Sequence, residues 1–185
     1  MKRNGWKRFI GAAVVVTGLL ASTGVVAAAT DMFLKLGTIK GESLDKVHRD
    51  EIDVLAWSWG LSTGTGTTKK GVVPPPCVQD LSFTKYIDRA SPEIILAGVS
   101  GALIPTARLT MRRAGDPFLV LEFLRFDMTN VTVSSYATGG SGGEDRLVEN
   151  VTLKFETLHG VYRQLDSKGG PGPEIPFFVS GNCPQ

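Results

Sequence analysis

The segment GGSGGEDRLVEN, residues 139–150, runs glycine and serine into Glu144, Asp145 and Arg146. Glycine-rich loops are a common cradle for phosphate, but the phosphate-binding forms need more. A P-loop places Lys after its last glycine with a helix behind it, and a dinucleotide fingerprint also opens a helix. Here the glycines lead to Glu144 and Asp145, which repel phosphate, and then into an alternating stretch that reads as a strand. The segment is expected to be a strand connection.

Acid–base and metal chemistry have few carriers. His48 and His159 are the two histidines, and no H-x-x-H or C-x-x-C spacing accompanies them, so a zinc site is not expected. His159 shares strand parity with Val151, Leu153 and Phe155 and reads as a packing residue. No G-x-S-x-G nucleophile elbow occurs. The carboxylate pairs Asp50/Glu51 and Glu144/Asp145 are adjacent, so on strands they point to opposite faces and do not share a proton. Asn130-Val131-Thr132 and Asn150-Val151-Thr152 match the glycosylation sequon but read as strand composition. No catalytic residue, cofactor site or metal site is expected.

Cys77 and Cys183 are the remaining reactive groups. An even count in an exported chain points to a disulfide, within one chain or between subunits; two unrelated thiols are the alternative. An intrachain bond would tie the C-terminal end to an early loop, worth roughly 4–5 kcal/mol by loop closure before strain is subtracted.

The elements that position these residues are mostly strands. MFLKLGTI is a short strand, and EIDVLAWSWGLS, 51–62, is apolar on both faces. TARLTMRR alternates, with Ala107, Leu109 and Met111 against Arg108, Thr110 and Arg112. PFLVLEFLRFDMTNVTVSSY is long and apolar on both sides, whereas NVTLKFETLHGVYRQL reads as one strand with a buried and a wet side. One helix is expected in SPEIILAGVSG, with Ser91 as N-cap, Pro92 at the first helical position and Gly101 at the end. Ile94, Ile95, Leu96 and Val99 surround that helix, which calls for burial on a second side, against another subunit. The stretch 62–76 ends in a proline run and reads as a stiff spacer. The C-terminal segment KGGPGPEIPFFVSGNCPQ is rich in Pro and Gly, yet IPFFV is apolar enough to lie against something.

The N-terminus stands apart. Lys2, Arg3, Lys7 and Arg8 precede the apolar run FIGAAVVVTGLLASTGVVAAA, which ends in small residues. This order describes a secretory signal peptide cleaved between Ala29 and Thr30; a retained membrane anchor is the alternative. Cleavage removes four cations, leaving 156 residues with 16 Lys and Arg against 18 Asp and Glu, a net charge of −2. The basic balance of the whole chain belongs to the leader, so nucleic acid is not an expected partner, nor is a membrane after cleavage. The expected division is a leader at 1–29, a β-domain at 30–166 and a C-terminal tail at 167–185.

DMFLKLGTIKGES, EIDVLAWSWGLS, VQDLSFTKYIDRASPEI and TGGSGGEDRLVENVTL together resemble the haemolysin-coregulated protein family, Hcp, the tube protein of type VI secretion. The resemblance runs from Asp31 to about Asp166. It implies a mainly β fold, two sheets forming a flattened β-barrel with one flanking helix. It also implies a non-enzymatic hexameric ring that stacks into tubes, carries effector proteins in its lumen and meets other type VI components. Stacking would use loops at the ring's two faces, with Gly142, Gly143, Glu144, Asp145 and Arg146 as the candidate. A cleavable leader departs from the family pattern of cytoplasmic assembly. It directs the chain to the periplasm or beyond, where a stand-alone exported ring or filament is the alternative.

Overall fold

The computed structural model describes residues 30–63, 76–113, 122–165 and 170–180. The leader, most of the 62–76 spacer, Ala29 and Cys183 lie outside these described residues.

Period-two patterning yields eleven strands around one helix among the described residues: β1 Thr30–Leu36, β2 Ile52–Asp53, β3 Ala56–Ser58, β4 Leu61–Ser62, β5 Cys77–Val78, β6 Leu81–Tyr86, α1 Ser91–Ser100, β7 Ile104–Arg113, β8 Glu122–Gly139, β9 Val148–Lys154, β10 Thr157–Leu165 and β11 Pro171–Ser180. All the pairings are antiparallel. β2, β1, β7, the first half of β8, β10 and β11 make one layer in that order; the second half of β8, β9, β6 and β3 make the other. The expected two-sheet flattened barrel is what forms, and β4 and β5 add a separate short ribbon.

β8 belongs to both layers because it turns a corner. Asn130 sits in the left-handed region with φ 50°, and the register against β9 shifts between Val133 and Ser135. Asn130 donates to the Glu156 carboxylate across that corner, and the Glu156 N–H donates to the Thr129 carbonyl at 3.0 Å. Leu34, Leu109, Met111, Phe126 and Met128 of the first layer meet Leu81, Phe83, Val151 and Leu153 of the second, all buried. Each such side chain stabilises the fold by about 1.5–3 kcal/mol.

Three expectations need correction. The 51–62 stretch is not one strand: β2, β3 and β4 are separate, because Val54 turns away to bond the Met32 carbonyl and Leu55 the Thr84 carbonyl. The 150–165 stretch is two strands, broken at Phe155 and Glu156 beside the β8 corner. That break inverts the alternation, so Leu158 is buried and His159 is exposed on the wet face rather than packed in the core. Ser91 is not the N-cap. Ala90 occupies that position and Ser91 is already helical; its hydroxyl instead accepts from the Asp88 N–H. Gly101 does end the helix, at φ 64° in the left-handed conformation.

The C-terminal apolar stretch lies against β10 as β11. Gly160 makes this approach possible, since a Cβ there would fall 2.0 Å from the Phe177 ring. Phe177 then reaches Phe126 and Trp59, with ring centroids 6.0 and 6.4 Å apart.

Candidate assembly surfaces

The helix lies on β8 by a narrow stripe, Ser91, Ile94 and Ala97. Its other side is left to solvent: Leu96 is 67% exposed, Val99 84% and, just beyond the helix, Leu103 61%. Exposed apolar residues of this size on adjacent helical positions mark a contact surface. A second apolar area lies at the β10–β11 margin, where Tyr162 and Ile175 are cross-strand partners and Phe178 stands on the opposite face, 61% exposed. A third is the loop between β1 and β2, which presents Leu44 and Val47.

That loop is held rigidly. Asp45 accepts from the Val47 and His48 backbone N–H groups at 2.8 and 3.0 Å, and from Arg112 at 2.7 Å. Arg112 also donates to Asp31 at 2.9 Å and lies over the Phe33 ring. Phe33 also stacks on His48, centroids 4.4 Å apart. His48 bridges Glu51 at 2.9 Å and Glu122 at 3.4 Å. Burial alone would lower the His48 pKa, but the Glu122 and Glu51 carboxylates beside the ring outweigh it and raise it to about 9. The Arg112 guanidinium holds the Asp45 carboxyl well below the usual range, against the opposing effect of burial. His48 is therefore a cation that clamps a loop. Asp45 and His48 carry no periodic signal and Arg112 reads only as one face of an alternating strand, so the sequence reading missed them as a group.

A second buried network supports the helix start. Lys85 is wholly buried and donates to the Tyr86 carbonyl at 2.8 Å, Asp88 at 2.7 Å and Ser91 at 3.1 Å. Its ammonium also meets Glu149, equally buried, at 2.8 Å as an ion pair. The other Glu149 oxygen accepts from Tyr136 at 2.8 Å. Burial, then this bond, push the Tyr136 hydroxyl up to about 12. The signal was available: Leu81, Phe83 and Lys85 share one inward parity in β6.

The other sequence candidates fall as follows. Gly142, Gly143, Glu144, Asp145 and Arg146 form the exposed tip of the β8–β9 hairpin. Gly143 has φ 102°, open to glycine and strained for other residues, while a Cβ at Gly142 meets nothing within 4 Å. Glu144 accepts from Ser141, and Arg146 lies 4.0 Å over the Tyr86 ring. Thr30 begins β1, opposite Arg113. Cys77 lies in β5 opposite Ser62; its candidate partner Cys183 is outside the described residues. Among the described residues, no group of three or more His, Cys, Asp or Glu is placed to hold a metal ion, and no helix is long and apolar enough to cross a membrane.

A family model described as type VI secretion system effector, Hcp, matches residues 33–162. The chain belongs to the Hcp family. It is 50% identical over 143 residues to protein hcp1 of Pseudomonas aeruginosa, covering 76% of this chain and 88% of that protein. Its fold is similar to the crystal structure of Hcp1 from Salmonella typhimurium, with TM-score 0.68, 36% identity, and 82% and 95% of the two chains covered. A type VI secretion system effector from Yersinia pestis is similar at TM-score 0.66 and 31% identity, over 82% of this chain and all of that one. The Hcp match takes in the pinned loop, the helix and the β8–β9 hairpin, and ends at Tyr162, before β11.

Proposed function

We propose that this Hcp-family chain is a non-enzymatic, exported ring subunit: six copies close around a lumen, rings stack into a tube, and the lumen carries effector proteins. The observation that carries the reading is the helix face of Leu96 and Val99, which a lone subunit leaves in water. A head-to-tail contact would cover it, and such contacts close into rings when their rotation allows. The β8–β9 tip, Gly142 to Arg146, is the proposed stacking contact, and other type VI secretion components are the proposed partners.

The leader at 1–29 is proposed to be removed between Ala29 and Thr30, placing the barrel of 30–166 and the segment 167–185 in the periplasm or outside the cell. Cys77 is not a free thiol, which supports a bond with Cys183 in that oxidising setting. The leader also favours a second reading, a stand-alone exported ring or filament working without the rest of a type VI apparatus. Sheath and baseplate genes beside this one favour the tube; their absence favours the second reading.

Size exclusion with light scattering, followed by negative-stain microscopy of the processed protein, tests the ring. A six-membered annulus is expected, and a monomer at high concentration overturns both readings. Sequencing the mature N-terminus tests the leader, with Thr30 expected first. A Cys77→Ser variant on a non-reducing gel separates an intrachain bond, which changes mobility, from an interchain one, which changes mass.

A further inference from the structure

We infer that β11 is a redox-latched strap: it stays on β10 while Cys77 is bonded to Cys183, and it lifts off when that bond is reduced. The latch rests on the disulfide proposed above and gives that bond its task.

The strand is weakly held by its own contacts. β11 pairs with β10 alone, and the register slips between Arg163 and Leu165. Pro171, Pro173 and Pro176 have no N–H to give to the ladder. Eight of its ten residues are exposed and none is fully buried, so little apolar burial offsets the entropy lost in ordering it. The Arg163–Glu174 ion pair lies at the surface and adds little. Two anchors remain: Val179, packed on the core, and Phe177, seated over Gly160 against Trp59 and Phe126. An edge strand with so few buried contacts opens locally before the barrel does.

The bond acts where the anchors end. The Phe177–Trp59 contact brings β11 beside the β4–β5 ribbon. Gly60, next to Trp59, accepts at its carbonyl from the Gln79 N–H at 2.9 Å, and Ser62 faces Cys77. Cys77 is not a free thiol. Cys183 follows Ser180 by three positions, and each extended residue adds about 3.3 Å of reach. Bonded to Cys77, the strand is tethered at both ends and redocks at high effective concentration. Reduction releases one end.

Forming the bond takes two protons and two electrons from the thiols. A disulfide oxidant of the exported compartment accepts them by exchange and leaves as a dithiol. In a reducing cytoplasm the pair stays as thiols, and the open strap uncovers Trp59, Phe126 and the slot over Gly160. The barrel is completed only after export.

Deuterium exchange of the processed protein, before and after dithiothreitol, tests the latch. Reduction is expected to speed exchange at Ile175, Phe177 and Val179 by about tenfold or more, with the β7–β8 amides unchanged. Cys77→Ser protein without reductant should match the reduced wild type. Equal protection of β11 in both states, or acceleration across β7–β8 as well, overturns the latch and leaves the disulfide reading intact. Thiol titration of untreated protein separates the two: two free thiols per chain, or a bond between chains, overturns the intrachain bond and the latch with it.

Discussion

Lys85 and Glu149 stand opposite each other on β6 and β9, both wholly buried, with Nζ 2.8 Å from Oε1. The pair ties the helix start to the second layer, because the same ammonium holds Asp88 and Ser91. Replacing Lys85 by Met strands the Glu149 charge in the core. Unfolding in denaturant should then show a loss of about 3–5 kcal/mol. Adding Glu149→Gln to that variant should recover part of the loss, since no net buried charge remains at that position. A single change without measurable cost contradicts this account.

The clamp on the β1–β2 loop has a definite pH signature. His48 has a folded pKa of about 9 against an unfolded value of 6.5, so folding favours its protonated form. Its contribution is complete below about pH 6.5 and is lost as pH rises through about 9. Tm should fall over that window, corresponding to about 2 kcal/mol once partial solvent screening is allowed for. His48→Gln should flatten the decline.

Arg112 acts on the same loop through Asp45. Asp45 takes both the Arg112 guanidinium and the Val47 and His48 amides. Arg112→Met should speed hydrogen exchange at Val47 and His48 by at least tenfold while leaving the β7–β8 amides protected. Uniform acceleration across both regions would instead indicate general destabilisation.

Gly160 has a packing role that any side chain disturbs. An Ala Cβ would collide with Phe177, and relief requires β11 or the ring to move. Gly160→Ala should cost about 1–3 kcal/mol and alter tryptophan fluorescence, because Trp59 lies against Phe177.

At the hairpin tip, Gly142 and Gly143 are not equivalent probes. Gly143→Trp strains a backbone at φ 102°, whereas a side chain at Gly142 enters open space. Gly142→Trp should therefore leave stability within about 0.5 kcal/mol and shorten stacks in microscopy without breaking single rings. Unaltered stack length removes the tip from the stacking contact.

The sequence made β1, β7 and the helix legible because each carries a period, two or 3.6, over enough residues, whereas β6 was not read as a strand. It hid what depends on distant partners. Nothing near Phe155 announces that the Asn130 corner of β8 will break the neighbouring strand, so the inversion that exposes His159 could not be read locally. EIDVLAWSWGLS looked continuous because alternation persists through the turn-away at Val54 and Leu55. The leftover apolar character of Leu96 and Val99 was visible, since it needs only composition and helical geometry. The Asp45–Arg112–Phe33–His48 clamp was not, because its members come from β1, a loop and β7, brought together only by the fold.

The shared strand β8 has a mechanical consequence. Its ladder is held by β7, β9 and β10 along most of its length, and both layers use the same backbone. Tension on either layer loads that one strand in shear, where many hydrogen bonds resist at once instead of opening in turn like a zip. Peeling the layers apart would mean tearing the corner at Asn130. The barrel should therefore yield as a single piece under pulling, with one rupture force rather than two.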